Sequence, residues 1–316
     1  MCSSDLEASL LADPDRAAEL IQALGVEGEL PLRNERDAVF IFFDGRDASQ
    51  VFLIHWVHGL ESRQPLQRLG HSKVWALSLD LPPAARVEYK FEVLRDGRTE
   101  WVRDPNNSRQ AFDPFGSNSV CPMPGYHEPT WVHRDPLARR GRLERFALRS
   151  RVYGETRTVH VYLPHEYRPD KRYPLLICHD GSDYRRFASL VEVLDNLVHR
   201  HEVKPLIVAF TDGGRRNEEY SANPRQPVFL IDELLPALQA RHKISENPEE
   251  RGLMGASFGA VSSLYCAWTR PGVFGQLLLQ SGSFVFTDIG HHGRGPLWDP
   301  VVGFVNALRE DPARIQ

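Results

Sequence analysis

The stretch Gly255-Ala256-Ser257-Phe258-Gly259 constrains this chain more than any other five residues. The apolar run Gly252-Leu253-Met254 leads into it, and residues 260–268, with a helix-like pattern, follow it. A chain that passes from strand to helix across one residue must turn sharply. The spacing G-x-S-x-G answers that need: the glycines let the strand and helix backbones approach closely, and the serine at the apex projects its hydroxyl away from the sheet. The start of the following helix favours negative charge at that apex. The pattern marks Ser257 as a nucleophile; a structural turn serine is the plainer alternative.

The surroundings fit the first reading. From about residue 142, residues 159–163, 173–179, 206–210 and 276–281 read as strands and 190–200 and 228–242 as helices, with Pro236 tolerated or kinking the latter. Apolar strands alternating with helices predict a largely parallel sheet covered on both faces. With the elbow they predict an α/β-hydrolase domain over residues 142–316. Further upstream the texture differs. Residues 38–43, 50–55, 74–79 and 87–93 are strand-like and separated by turns such as Asp44-Gly45 and Asp96-Gly97, which predicts a β-sandwich over 35–125. Residues 103–107 and 113–119 look irregular, and Pro- and Gly-marked residues 126–141 look like a linker. Residues 8–26, within an N-terminal segment 1–34, carry helical spacing.

Composition bounds the function classes. An apolar content of 41% and a charged content of 25% are those of a globular protein with a sizeable core. A net charge of −4 gives no footing for nucleic acid or an anionic membrane. No run of 18 apolar residues suggests a spanning helix, and the start carries no signal-peptide pattern, so a cytoplasmic location is expected. Cys2, Cys121, Cys178 and Cys266 form no C-x-x-C pair, and buried free thiols are expected at Cys178 and Cys266. The pairs His55/His58 and His199/His201 lack a third ligand at zinc-like spacing, and nothing in the sequence calls for a metal or cofactor.

The triad of this fold runs Ser, then Asp or Glu, then His along the chain. Downstream of Ser257 the histidines are His291 and His292, in a Gly- and Pro-rich stretch, and the carboxylate before them is Asp288. Acid and base normally come from loops after different strands, so these residues read better as a polar loop. The expectation is a C-terminally truncated chain whose acid and histidine lie beyond Gln316, nearly inactive by itself. The opening Met1-Cys2-Ser3-Ser4-Asp5-Leu6 matches a translated sequencing adaptor, so the first residues are expected to be non-native.

Taken together, Glu88-Tyr89-Lys90-Phe91, Arg103-Asp104-Pro105-Asn106, His179-Asp180-Gly181, Arg216 to Tyr220 with Asn223, Asp232-Glu233-Leu234-Leu235-Pro236, the elbow, and Gln280-Ser281-Gly282-Ser283 resemble the enterochelin (enterobactin) esterase family. The resemblance covers about residues 35–310. It implies an immunoglobulin-like sandwich before a serine hydrolase domain. It also implies a small-molecule ester substrate, such as a ferric catecholate siderophore whose cleavage releases iron inside the cell.

The chemistry expected is acyl transfer. Ser257 attacks an ester carbonyl, and backbone N–H groups hold the oxyanion: that of Phe258, and one at Gly181 or Ser182 in the loop after the strand 175–179. Asp180-Gly181 is also an ordinary turn pair. Arg215, Arg216, Glu218, Glu219 and Tyr220 follow a strand end, where α/β sheets bind ligands; they read either as substrate-positioning residues, Arg216 and Tyr220 foremost, or as a solvated loop. Tyr184 either stacks on an aromatic acyl group or packs at the rim. Trp56, Trp75, Tyr89 and Trp101 are either a ligand platform or sandwich-core aromatics. Two other functions remain open: a carbohydrate esterase acting on feruloylated or acetylated glycan, and a non-catalytic binding protein on a hydrolase scaffold.

Overall fold

The computed structural model describes residues 19, 21–23, 30–285 and 293–312. The helix expected over 8–26 lies outside the described residues, except that Glu19 and residues 21–23 are helical. Cys2, Asp288, His291 and His292 also lie outside them. The chain divides into two compact units, Met1–Glu128 and Pro129–Gln316.

Among the described residues the front unit carries ten strands: β1 (Leu32–Arg33), β2 (Asp37–Phe42), β3 (Gln50–His55), β4 (Arg63–Pro65), β5 (Gln67–Arg68), β6 (Trp75–Asp80), β7 (Arg86–Arg95), β8 (Arg98–Val102), β9 (Gln110–Asp113) and β10 (Gly116–Pro122). They form two antiparallel sheets, β1-β2-β6-β5 and β4-β3-β7-β10-β9, with β8 also on β7. Period-2 alternation explains the core. Val87, Tyr89, Phe91 and Val93 of β7 point inward, against Ala38, Phe40 and Phe42 of β2. Phe40 meets Tyr89 edge-on at 4.8 Å, and Phe42 meets Phe91 at 5.1 Å. The aromatic set thus splits: Trp75 and Tyr89 are core, whereas Trp56 and Trp101 are 63% and 55% exposed. The second stretch that looks irregular lies in a hairpin, β9–β10. Its register places Ser119 opposite Tyr89, so packing on β7 overrides a local sequence rich in Pro and Asn.

Asp104 is the polar centre of this unit. Its carboxylate accepts from the Tyr89 hydroxyl (2.6 Å) and the Asn106 N–H (2.8 Å), and its own N–H donates to Ser119 Oγ (2.9 Å). Asn107 Nδ2 donates to Tyr89 Oη and to the Val120 carbonyl. Burial raises the Asp104 carboxyl to about 6.

The back unit is one mixed sheet covered by helices. Strands β11 (Arg142–Arg149), β12 (Thr156–Leu163), β13 (Leu175–His179), β14 (Ile207–Thr211), β15 (Arg251–Ala256) and β16 (Gln276–Gln280) form one sheet in the order β11-β12-β14-β13-β15-β16. The four from β14 to β16 are parallel, while β11 and β12 pair antiparallel. The helices are α1 (Gly181–Phe187), α2 (Leu190–His199), α3 (Arg216–Tyr220), α4 over 225–239, α5 (Phe258–Thr269) and α6 (Asp299–Glu310). The middle of α4, Phe229–Leu234, is π-helical, just before Pro236. Proline lacks an N–H and crowds the carbonyl four residues back; the wider turn makes room for it.

Alternate strand residues bury two cores. Val161, Ile177, Ala209 and Leu253 face α4, while Cys178, Val208, Phe210 and Met254 face α1 and α2. Cys178 and Cys266 are free and buried. Residues 129–141 are held to α2: Asn196 Nδ2 donates to the carbonyls of Trp131 (2.8 Å) and His133 (2.7 Å), and the Gly141 N–H donates to Asp195 (2.8 Å). At the β16 edge, Leu278 is half exposed.

Candidate active site

Strand β15 is buried almost throughout and ends at Ala256; α5 starts at Phe258. Ser257 alone makes the reversal, at φ 56° and ψ −120°. A side-chain-bearing residue rarely adopts positive φ, and such strain persists only where neighbours over-determine it. Four backbone bonds do so. Ser257 N–H donates to the Gln280 carbonyl (3.0 Å), and its carbonyl accepts from the N–H groups of Ala260 (3.1 Å), Val261 (3.3 Å) and Ser283 (3.2 Å). Gly255 is required, since a Cβ there would overlap the Gly259 backbone, and Gly259 is tightly packed, since a Cβ there would press on His179 Cβ at 3.3 Å. The hydroxyl of Ser257 lies 2.8 Å from that of Ser283. Among the described residues, no histidine or carboxylate hydrogen-bonds the Ser257 hydroxyl.

The second loop of the site follows β13, the parallel neighbour of β15. Asp180 turns left-handed at φ 53° and ψ 42°, and Gly181 begins α1. Gly181 tolerates no side chain, because a Cβ there would overlap Phe210. Phe258 and Gly181 both head helices, where backbone N–H groups have no intrahelical acceptor. Ser182 differs: its N–H (3.0 Å) and its hydroxyl (2.8 Å) both donate to Asp212 Oδ1.

The residues expected to touch substrate are partly engaged with one another. Arg216 grips Asp180 through two parallel bonds of 2.7 Å, from Nε and Nη2. This bidentate fork fixes the Asp180-Gly181 turn to α3. Tyr220 is fully buried, its ring edge-on to His179 at 4.9 Å. Tyr184 donates its hydroxyl to Gln280 Oε1, joining α1 to the end of β16. Behind α3, Glu219 accepts from Arg157 Nη2 (2.7 Å) and the Arg215 N–H (2.9 Å). The Arg157 guanidinium stacks 3.9 Å over Tyr153.

His179, the polar end of an apolar strand, was noted in the sequence as part of a motif but given no role of its own. It is fully buried. Its Nδ1 lies 3.2 Å from the Met254 carbonyl and 3.1 Å from Ser263 Oγ, and its Nε2 lies 3.1 Å from Ser262 Oγ. Burial lowers its pKa to about 4, so the ring is neutral at neutral pH. Among the described residues no group of three His, Cys, Asp or Glu converges as a metal site, and no helix is long and apolar enough to cross a membrane.

A strained serine between a parallel strand and a helix, with helix-start N–H groups on the neighbouring strand's loop, defines a serine-bearing α/β hydrolase. The chain matches the Esterase family model over residues 150–313, more than half its length, and belongs to that family. Within it the chain is enterochelin-esterase-like. It is 28% identical over 145 residues to the iron(III) enterobactin esterase of Escherichia coli strain CFT073, an alignment covering 45% of this chain and 36% of that protein. It is 26% identical over 273 residues to the endo-1,4-beta-xylanase/feruloyl esterase of Xylanibacter ruminicola, covering 80% of this chain and 36% of that one. The fold matches the crystal structure of the enterochelin esterase of Shigella flexneri with a TM-score of 0.65 at 20% identity, covering 88% of this chain and 77% of the other. The chain spans between 36% and 58% of the length of the first curated relatives it matches.

Proposed function

We propose that this chain is a serine esterase that hydrolyses carboxylic esters through an acyl-enzyme. The observation that carries the reading is the conformation of Ser257, a non-glycine residue held at φ 56° where a strand gives way to a helix. Natural structures keep such strain at functional positions. In the proposed reaction Ser257 Oγ adds to the ester carbonyl, the alcohol leaves, and water releases the acid. The N–H groups of Phe258 and Gly181 receive the oxyanion; Ser182 is the weaker donor because its N–H is already given to Asp212. The base and acid that would activate Ser257 are to be sought outside the described residues. Asp180, Tyr184, Arg216 and Tyr220 shape the substrate side, with Tyr220 acting from below the surface.

The substrate class we favour is a catecholate siderophore ester, on the likeness to enterobactin esterases, which would place the reaction inside the cell. In this reading the front unit, residues 35–125, is an immunoglobulin-like sandwich. One observation favours a second reading. The match to the xylanase/feruloyl esterase runs over 80% of this chain, so it takes in both units, and a feruloyl ester is then the substrate.

The test is hydrolysis of 4-nitrophenyl acetate by the protein and by Ser257→Ala. The expected result is Ser257-dependent release at least about tenfold above the variant, even if weakly activated. Equal rates for the two proteins would end the esterase reading and favour a binding role. Enterobactin and a feruloyl arabinoside offered side by side then separate the two substrate classes.

A further inference from the structure

We infer that His179 is a positioning residue that locks the nucleophile turn and the Gly181 loop into one rigid unit. The inference rests on the esterase reading above and adds to it a residue outside the reacting set. The bonding partners decide the ring's proton. The Met254 carbonyl can only accept, so Nδ1 must carry the hydrogen that meets it at 3.2 Å. Ser263 agrees: its hydroxyl hydrogen is already donated to the Gly259 carbonyl (2.8 Å), so toward Nδ1, 3.1 Å away, its oxygen can only accept. A neutral ring with its proton on Nδ1 leaves Nε2 bare, and Ser262 Oγ donates to it at 3.1 Å.

One side chain therefore holds the carbonyl of β15 three residues before the nucleophile and two successive serines of α5. Through Ser263 it also reaches the Gly259 carbonyl in the first turn of that helix. The Gly259 backbone is packed against the same side chain, since a Cβ there would sit 3.3 Å from His179 Cβ. His179 is also the last residue of β13, two positions before Gly181. The two N–H groups assigned to the oxyanion belong to the backbones that this ring joins. Tyr220, edge-on at 4.9 Å, closes the ring in from the side of α3. A strained turn needs this kind of multiple fixing, and an oxyanion site works only if its donors are already in place.

The test uses the full chain and its variants His179→Phe, His179→Asn and His179→Gln, with Ser257→Ala as the control. A fluorophosphonate probe measures the rate and affinity of Ser257 capture separately. In His179→Phe the capture rate is expected to fall about tenfold to a hundredfold with little change in probe affinity. Asparagine places its amide where Nδ1 stood and is expected to restore most of the rate; glutamine, reaching only the Nε2 position, is not. Nitrogen NMR of the wild-type imidazole is expected to show one proton, on Nδ1. A folded His179→Phe captured at the wild-type rate, or a ring protonated on Nε2, would overturn the inference. If wild type and Ser257→Ala react alike, the esterase reading fails instead. The positioning claim is then judged by the Phe258 and Gly181 amide resonances, which must both move further in His179→Phe than in His179→Asn and would contradict it by staying still in His179→Phe.

Discussion

Each unit of this molecule holds a buried polar hub, around Asp104 in the front unit and around His179 in the back, and these two hubs are built to opposite ends. In the front unit Asp104, Tyr89, Asn107 and Ser119 satisfy one another beside the core of two antiparallel sheets. In the back unit His179 and two serines tie the strand before a residue at φ 56° to the helix after it. The first hub specifies a fold; the second holds a conformation that the chain would otherwise leave. The buried acid keeps its proton longer than usual, to about 6, and the buried base loses its proton sooner, at about 4. Both are shifted toward the neutral form for the same reason, that burial penalises charge, but their pH dependences run in opposite directions.

The largest break in this comparison is expected from the backbone of the back hub. Gly255→Val should cost on the order of 4 kcal/mol or more, since the new Cβ overlaps the Gly259 backbone, and should unfold the back unit while leaving the front unit protected. Hydrogen exchange read peptide by peptide in the full chain checks this. Next come the two titrations. His179 has a folded pKa of about 4 against an ordinary 6.5, so its contribution is fully present above 6.5 and is lost as pH falls through about 4. The wild-type minus His179→Asn difference in back-unit stability should therefore shrink by on the order of 3 kcal/mol across that window. Asp104, with a folded pKa of about 6 against 3.8, contributes below 3.8 and loses that contribution as pH rises through about 6. The wild-type minus Asp104→Asn difference in the front unit should fall by roughly 2 to 3 kcal/mol in the opposite direction. Two difference curves of the same sign would refute the contrast. The smallest effect is expected from Tyr184→Phe, which removes one hydroxyl bond to Gln280 and should cost about 1 kcal/mol in the back unit, seen as a small shift in denaturant midpoint.

The contrast also explains what could be read from the sequence. The elbow was legible because its constraint is local: strand, serine, helix and glycines lie within one short run. The parallel strands were legible because burial on both faces leaves continuous apolar runs, as in Leu175–His179 and Ile207–Thr211. The β11 strand was not, since Arg142–Arg149 is an edge strand rich in charge. The β9–β10 hairpin was hidden because its pairing on β7 is long-range and its residues are poor strand formers. The role of His179 was hidden for the same reason at the level of side chains: its serine partners lie 83 and 84 residues downstream. Conversely, Arg216 was read as a candidate site residue without its partner, because no pattern in the sequence links Asp180 to a helix 36 residues on. The histidines after the elbow, His291 and His292, fall outside the described residues and leave the choice of base to chemistry.

The central claim is that Ser257, and not its hydroxyl neighbour Ser283, is the nucleophile. Peptide-mapped mass spectrometry of the fluorophosphonate-treated protein tests it most directly. The account predicts one adduct, on the peptide carrying Ser257, absent in Ser257→Ala and retained in Ser283→Ala. An adduct on Ser283, or one on Ser257 that forms no faster than on surface serines, would contradict it.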